Sequence, residues 1–306
     1  MTDLASVSLT TPLAELADEL GQSFAEYGFA IVRDHGIPPE LIARAEEKSR
    51  AFFALPEEVK MKYHLKGQGG ARGYTPFGIE RAKDAAVHDL KEFWHVGREL
   101  PPGDPLERFM QPNVWPDEVE SFRDTFETLY AAFEQTGLRI LSAIALHLGL
   151  PERFFDRTVE NGNSVMRLLH YPPVPQEAEG RIRAAAHEDI NTITLLLGAE
   201  EAGLELLARD GRWLPVSPPE GALAVNIGDM LQRLTNGRLR STTHRVVNPM
   251  GERARHARYS MPFFLHFRPD FVIEALTDCV APGERAESPI TAHDYLMQRL
   301  REINLV

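Results

Sequence analysis

Hydrophobic residues recur at helical spacing in the first part of the chain. They do so over residues 13–20 and again over 41–53, where the pattern ends near Leu55 and Pro56. Side chains three or four positions apart share one face of a helix, so both segments predict amphipathic helices. Between them, the apolar run 28–32 predicts a short strand that ends at a turn-forming segment. The first third of the chain is therefore predicted to be mainly helical.

The pattern changes towards the middle of the chain. Apolar residues over 120–150 are spaced for one long helix or for two. From Val165 onward they form short runs separated by turns, and Asp210-Gly211 is a strong hairpin signal because glycine accepts a positive φ. Many short strands with one pocket-forming face predict a double-sheet jelly roll, the architecture of cupin-like metal sites. The predicted strands are 192–197, 204–207, 213–216, 222–227, 244–247 and 259–267.

Composition is that of an ordinary globular protein. The 306 residues are 43% hydrophobic and 25% charged, which allows one large domain or two small ones. A formal net charge of -12 and the scatter of basic residues argue against a nucleic-acid partner or an anionic membrane surface. The N-terminal residues lack the pattern of a secretory signal, and no apolar run approaches the length that spans a bilayer. We therefore expect a cytoplasmic protein.

Two histidines and an aspartate form the strongest candidate site. In an extended segment, residues two apart point to the same face, so His187 and Asp189 would lie side by side while Glu188 turns away. His244 lies in a distant predicted strand and would be the third ligand. Two imidazoles and one carboxylate bind a non-haem Fe(II) and leave positions open for a co-substrate and O2. Because Cys279 is the only cysteine, a thiolate site would have at most one sulfur.

Arg258 and Ser260 predict an anion site on another strand. Arginine has a planar fork that meets a carboxylate in two parallel hydrogen bonds, and Ser260, two residues along, would point the same way and add a hydroxyl. The pair suits one end of a dicarboxylate, whereas a solvated or ion-paired surface arginine is the alternative. By the same count Phe264 shares this face, either lining the pocket or packing in the core.

Other polar or glycine-rich segments are given no ligand role. The glycine-rich segment 66–74 lacks the tail of a phosphate-binding loop, so it predicts a flexible loop, with a lid over a pocket as the alternative. The segment 226–229 is interpreted as a turn that serves the fold. The remaining histidines are interpreted as structural or surface groups, among them His35, His88, His95, His170 and His266.

Taken together, these motifs resemble the isopenicillin N synthase-like family of non-haem iron enzymes, most of which are 2-oxoglutarate-dependent dioxygenases. The resemblance extends over most of the chain and rests on the order and spacing of the motifs rather than on any one of them. The motifs are Gly28-Phe29, His35-Gly36-Ile37-Pro38, Phe53-Ala54-Leu55-Pro56, Asp89-Leu90-Lys91-Glu92, Tyr171-Pro172-Pro173, His187-Glu188-Asp189, Asn226-Ile227-Gly228-Asp229, the segment 241–246 and Arg258-Tyr259-Ser260.

The resemblance implies a single domain, 1–306, that is mainly β with flanking helices. A distorted double-stranded β-helix (jelly roll) core would occupy 161–270. A largely helical N-terminal region, 1–160, would precede it, and a C-terminal segment, 271–306, would follow. In this family the loops and the C-terminal segment, here 292–303, determine which substrate enters, so the primary substrate is not predicted.

The resemblance also implies how the site works. The three candidate ligands above would bind Fe(II), and Arg258 with Ser260 would bind one carboxylate of 2-oxoglutarate, whose 2-oxo acid end chelates the iron. Tyr171 matches a family position that helps to bind this co-substrate. However, Leu169 stands where the family usually has asparagine, and this departure leaves the contact between Tyr171 and 2-oxoglutarate in doubt.

The implied activity is the oxidation of a small organic substrate, by hydroxylation, desaturation or ring chemistry. It would be coupled to the conversion of 2-oxoglutarate and O2 into succinate and CO2. Because the segment 258–264 also closely resembles isopenicillin N synthase itself, an oxidase that needs no 2-oxoglutarate stays open. A non-catalytic jelly-roll binding protein is the remote alternative. The oligomeric state is not predicted.

Overall fold

The computed structural model describes residues 4, 6–66, 71–79, 89–175, 182–198 and 203–302. Within these ranges the chain forms seven α-helices, none of which is long and apolar enough to cross a membrane. The longest, α4, has 26 residues and lies just before the strands of the second half. The helices are α1 (Leu13–Tyr27), α2 (Pro39–Phe53), α3 (Glu57–Lys60), α4 (Phe122–His147), α5 (Asp156–Val159), α6 (Asp229–Leu234) and α7 (Ala292–Glu302).

Fourteen strands lie within the described residues, and most of them are short. They belong to one eight-stranded sheet, one four-stranded sheet and one two-stranded sheet. The strands are β1 (Ser6–Ser8), β2 (Phe29–Arg33), β3 (Gly73–Thr75), β4 (Glu92–Gly97), β5 (Val165–Tyr171), β6 (Ala184–His187), β7 (Ile193–Leu197), β8 (Leu204–Leu207), β9 (Trp213–Pro215), β10 (Leu223–Ile227), β11 (His244–Val246), β12 (Arg258–Leu265), β13 (Val272–Ile273) and β14 (Ile290–Thr291).

The two larger sheets face each other as a jelly roll. The large sheet has the order β1-β2-β10-β7-β12-β5-β4-β3, and the small sheet has the order β6-β11-β8-β9. One buried apolar cluster joins Phe29 and Ala224 of the large sheet to Leu204, Leu206 and Val246 of the small sheet. This cluster fills the space between the sheets, so the inner face of the large sheet looks toward the small one.

The helices cover the opposite, outer face of the large sheet. Phe133 of α4 stacks on Phe263 of β12 with ring centroids 5.2 Å apart. Phe52 of α2 meets Trp94 of β4 edge to face at 4.7 Å. Because side chains alternate along a strand, the residues of β12 that do not meet the helices, beginning with Arg258, point inward.

Several local predictions are confirmed by the structure. The segment 120–150 forms one helix, α4, rather than two. The pair Asp210-Gly211 lies between β8 and β9, which are antiparallel partners, and Gly211 has a φ of 83°. The apolar run at 28–32 is strand β2. Each of these features depends on neighbouring residues, and this is why the pattern of the chain predicts it.

Three strands of the first half were not predicted. They are β1, β3 and β4, and all three join the large sheet. All six residues of β4 are buried, so this strand lacks the apolar and polar alternation that marks a half-exposed strand. The predicted loop 66–74 is shorter than expected, because Gly73 and Tyr74 belong to β3. Its residues 67–70 lie outside the described residues, and the division of the chain at residue 160 stays a prediction.

Candidate active site

His187, Asp189 and His244 come together at the ends of two paired strands of the small sheet. His187 is the last residue of β6, His244 is the first residue of β11, and the two are register partners. Oδ1 of Asp189 lies 3.9 Å from Nε2 of His187 and 3.8 Å from Nε2 of His244. One potential ligand atom from each residue lies within 4.8 Å of the others. Glu188 is exposed and points away, as the spacing predicts.

Backbone carbonyl groups orient both imidazoles. Nδ1 of His187 lies 2.7 Å from the carbonyl oxygen of Ala185, and Nδ1 of His244 lies 3.0 Å from that of Thr242. A neutral imidazole that donates from Nδ1 to a carbonyl keeps its lone pair on Nε2. The two Nε2 atoms are the ones that face Asp189. This is the arrangement that metal-binding histidines usually adopt.

The second oxygen of the Asp189 carboxylate is held by the large sheet. Oδ2 accepts hydrogen bonds from Oγ1 of Thr194 at 2.5 Å and from Nδ2 of Asn226 at 2.8 Å. Burial raises the pKa of Asp189, but the neighbouring His244 and His187 and these two hydrogen bonds outweigh that effect, so the pKa lies below its usual range. The carboxylate is therefore ionised, with Oδ1 turned toward the imidazoles.

Asn226 thus has a role that the sequence analysis missed. The segment 226–229 was interpreted as a turn that serves the fold, but Asn226 lies in β10 opposite Thr194 of β7, and both side chains reach Asp189. Gly228 precedes helix α6, which begins at Asp229, and does not close a turn. The pairing of β7 with β10 brings the two donors together, and no local pattern in the sequence signals that pairing.

We expect Asn226→Leu to lower the affinity for Fe(II) by roughly 10–100-fold, because loss of an outer hydrogen bond frees the liganding carboxylate to rotate. Anaerobic titration against a competing chelator measures this change. Gln298→Leu, which alters an exposed amide on α7, is the control and should bind Fe(II) as the wild type does. Wild-type affinity in the Asn226 variant would show that this hydrogen bond does not orient the ligand.

Arg258 and Ser260 lie on the same inner face as the groups that hold Asp189. Thr194 of β7 is the register partner of Phe264 in β12. Counting back along β12 in steps of two residues leads from Phe264 to Ser260 and Arg258. Arg258 is 1% exposed and Ser260 is 2% exposed. The alternative of a solvated surface arginine is therefore wrong, and both groups belong to the interior between the sheets.

Both residues have polar atoms without partners. Nη2 of Arg258 donates to the carbonyl oxygen of Gly198 at 3.2 Å, but Nε of Arg258 and Oγ of Ser260 have no hydrogen-bond partner among the described residues. A buried charge with an unused hydrogen-bond donor destabilises the folded protein unless a group of opposite charge pairs with it. A planar arginine edge beside a hydroxyl fits one carboxylate of a dicarboxylic acid.

Tyr171 lies beside this pair. It is the register partner of Arg258, whose Cζ lies 5.2 Å from the centre of the tyrosine ring. Cζ of Arg183 lies 5.8 Å from the same ring. Leu169 is the register partner of Ser260 and is buried, so a hydrocarbon side chain stands where the family usually has an amide. The structure thus places Tyr171 at the predicted anion site, where Leu169 cannot provide the hydrogen bonds of the asparagine that is usual in the family.

Further residues of the inner face were not predicted as site residues. The Cζ atom of Arg167 lies 5.5 Å from the ring centre of Phe264 and 4.2 Å from that of Phe93. Nε of Arg167 donates to Nε2 of His95 at 2.6 Å. His266 is buried, and burial lowers its pKa to about 4. His95 and His266 were interpreted as structural or surface groups rather than ligands, and neither belongs to the cluster of His187, Asp189 and His244.

Known protein families and relatives match this chain over most of its length. Residues 1–118 match the N-terminal domain described as non-haem dioxygenase in morphine synthesis, and residues 162–267 match the 2OG-Fe(II) oxygenase superfamily. The 2-oxoglutarate-Fe(II) type oxidoreductase hxnY of Emericella nidulans is 36% identical over 294 residues, which cover 92% of this chain and 83% of that protein. The chain belongs to the 2OG-Fe(II) oxygenase superfamily.

Solved structures of other proteins agree with this oxygenase in fold. A 2OG-Fe(II) oxygenase family protein from Caulobacter crescentus is 52% identical, with a TM-score of 0.92, and the match covers 99% of this chain and 100% of that one. A full-length Neurospora crassa protein, solved in complex with alpha-KG and thymine, is 31% identical, with a TM-score of 0.84 and coverage of 94% and 91%.

These relatives confirm the predicted family, jelly-roll fold and cofactors. The protein is an Fe(II)- and 2-oxoglutarate-dependent oxygenase that uses O2 and acts on small molecules. Of the activities that the sequence left open, the 2-oxoglutarate-dependent enzyme is the one that the relatives support. The described cluster of two histidines and one aspartate fits Fe(II), since imidazole and carboxylate together form the donor set of non-haem iron sites.

Proposed function

We propose that this oxygenase binds Fe(II) through His187, Asp189 and His244, and one carboxylate of 2-oxoglutarate through Arg258 and Ser260. The observation that supports the second assignment most directly is that Nε of buried Arg258 and the hydroxyl of buried Ser260 both lack a hydrogen-bond partner among the described residues. A carboxylate bound there satisfies both groups. The other end of the molecule, a 2-oxo acid, is then available to the metal.

Apolar side chains enclose the proposed co-substrate site. Tyr171, Leu169 and Phe93 form a small buried cluster on the inner face. Their rings and methyl groups exclude water from the neighbourhood of Arg258, and exclusion of water strengthens an ion pair with a carboxylate. We propose that the ring of Tyr171 lines one side of the co-substrate site, because the side chains of Arg183 and Arg258 lie close to this ring.

The protein's own part in the reaction is to position groups rather than to supply a reactive side chain. When bound, Fe(II) with 2-oxoglutarate and O2 supplies the oxidising chemistry that hydroxylates, desaturates or cyclises a small organic substrate, with succinate and CO2 as products. Thr194 and Asn226 fix the Asp189 carboxylate and, together with His244 and His187, favour its ionised form. In a neutral ring that donates from Nδ1 to the carbonyl oxygen of Ala185 or Thr242, the lone pair is on the Nε2 atom that faces Asp189.

The test is to measure O2 uptake and succinate release together, with Fe(II) and with or without 2-oxoglutarate, in the presence of small-molecule substrates. We expect both signals to require Fe(II) and 2-oxoglutarate and to rise together with a true substrate. O2 uptake without 2-oxoglutarate would support an oxidase of the isopenicillin N synthase type instead. Failure to bind either Fe(II) or 2-oxoglutarate would contradict the proposal and support a non-catalytic binding protein.

A further inference from the structure

Arg72 is a second buried arginine whose charge has no ion-pair partner among the described residues. The residue is 2% exposed, and it lies just before β3. Its Nη1 donates to the neighbouring carbonyl oxygen of Ala71 at 2.7 Å, whereas Nε and Nη2 have no hydrogen-bond partner among the described residues. Nε and Nη2 form one edge of the guanidinium, with two parallel N–H bonds. This edge matches the two oxygens of a carboxylate.

No carboxylate in the described part of the chain forms an ion pair with this edge. Glu99 is close enough for its charge to act on Arg72, but Oε1 of Glu99 already accepts hydrogen bonds from Asn113 and Trp115. Tyr130, the other neighbour, donates its hydroxyl to the carbonyl oxygen of Ser164, and burial raises its pKa above the usual range. Tyr130 is therefore neutral and cannot balance the arginine.

The space that Arg72 occupies is made by a glycine on the inner face. A Cβ atom on Gly97 would lie 1.9 Å from Cζ of Arg72, so any other residue at this position would displace the guanidinium. Gly97 follows His95 by two residues on β4 and therefore points to the same face. His95 accepts the hydrogen bond from Arg167. The guanidinium of Arg72 thus lies on the face that holds the candidate active site.

His266 links this position electrostatically to the metal site. The charges of both Asp189 and Arg72 act on His266, which is buried and follows Phe264 by two residues beyond β12. Along β12 the order is Arg258, Ser260, Phe264 and then His266. Arg258 is therefore the first residue of β12, whereas Arg72 lies near His266, just beyond the other end of this strand.

We propose that Arg72 binds a carboxylate of the primary substrate, so that this oxygenase acts on small organic acids. The inference rests on the proposed function, in which Arg258 is reserved for 2-oxoglutarate. Its physical basis is that the fold keeps a second buried arginine edge free on the active-site face and gives up a side chain at Gly97 to make room for it. Arg72 is then a specificity-determining residue, and it takes no part in iron binding.

The test uses the protein loaded with Fe(II) under anaerobic conditions and saturated with 2-oxoglutarate, so that Arg258 is already occupied. Calorimetry then measures the binding of three acids, each with its primary amide: benzoate and benzamide, phenylacetate and phenylacetamide, 3-phenylpropanoate and 3-phenylpropanamide. We expect at least one acid to bind about thirty-fold more tightly than its amide, since loss of one partner of a buried charge pair costs about that factor or more.

Two variants remove the proposed contact in different ways. Arg72→Met removes the charge and keeps a long side chain, while Gly97→Ala keeps the arginine and displaces it. In both, the preference for the acid over its amide should fall to near unity, with the affinity for 2-oxoglutarate unchanged. Arg157→Met, which removes an exposed arginine of α5, is the control and should keep the wild-type preference.

Thermal unfolding of the ligand-free protein separates binding from a structural role. A buried cation without partners destabilises the fold, so Arg72→Met should unfold at the wild-type temperature or above it. A variant that unfolds well below the wild type, or does not fold, would show that Arg72 supports the structure and would contradict the proposal.

The remaining outcomes distinguish the two proposals. If 2-oxoglutarate binds but no acid is preferred over its amide, or if the preference survives in both variants, the role of Arg72 is wrong and the proposed function stands. If an acid binds through Arg72 while 2-oxoglutarate does not bind, the co-substrate assignment fails and the anion site at Arg72 remains.

Discussion

Replacement of Asp189 with alanine is expected to abolish turnover. The change removes the only carboxylate of the cluster and leaves the two imidazoles. Fe(II) affinity should fall by more than the roughly 10–100-fold that loss of an outer hydrogen bond costs. Because Asp189 projects beyond the end of β6, the sheets should remain intact. Iron content after gel filtration, succinate release and the temperature of unfolding measure these three expectations.

Glu188→Ala is a matched control for this experiment. It removes the adjacent carboxylate, which is exposed and accepts a hydrogen bond from Thr243 rather than facing the histidines. We expect wild-type iron content and activity from it. Normal turnover of the Asp189 variant, or iron retained at other residues, would show that the metal-ligand assignment is wrong.

Arg258→Lys is expected to have the second largest effect, which falls on 2-oxoglutarate. Lysine keeps the charge but loses the planar edge that meets both carboxylate oxygens. Truncating one partner of a buried, hydrogen-bonded charge pair costs ~2–5 kcal/mol, or about a thirty-fold or greater loss of affinity. The apparent KM for 2-oxoglutarate should rise accordingly, much more than that for the primary substrate, while iron content stays unchanged.

A second arginine substitution controls for general effects on the fold. Arg139 of α4 donates to the carbonyl oxygens of Leu9 and Thr11, away from the inner face, so Arg139→Lys should leave the KM for 2-oxoglutarate unchanged. If Arg258→Lys binds 2-oxoglutarate normally and fails only with the primary substrate, then Arg258 holds the substrate's own carboxylate. The 2-oxoglutarate-independent oxidase would then be the better interpretation.

The pairs of site residues that lie close together in the sequence could be predicted from it. His187 and Asp189 are two positions apart, as are Arg258 and Ser260, and strand geometry alone turns each pair to one face. The same rule correctly turns Glu188 toward solvent. His244, in contrast, joined the prediction through its residue type and the resemblance to a family, since nothing local relates it to His187.

Residues that depend on strand pairing could not be predicted. Thr194 and Asn226 hold Asp189 only because β7 and β10 are neighbours in a particular register. Register between strands far apart in the chain is fixed by the packing of both sheets and leaves no periodic signal in either strand. From the sequence alone, Asn226 was therefore interpreted as part of a turn.

The same reason applies to the unpaired charge of Arg72. In the sequence it lies in a glycine-rich segment that predicts a loop, and nothing there distinguishes it from a solvated arginine. Only the pairing of β3 with β4 buries it and sets it against Gly97, 25 positions further along the chain. The sequence by itself thus determined the three long helices α1, α2 and α4, the jelly roll and the types of residue proposed to bind iron, because these depend on local periodicity and on motif order. Tertiary structure decided which side chains support the proposed iron ligands and which buried charges lack a partner among the described residues, because burial and hydrogen-bond partners depend on contacts between distant segments.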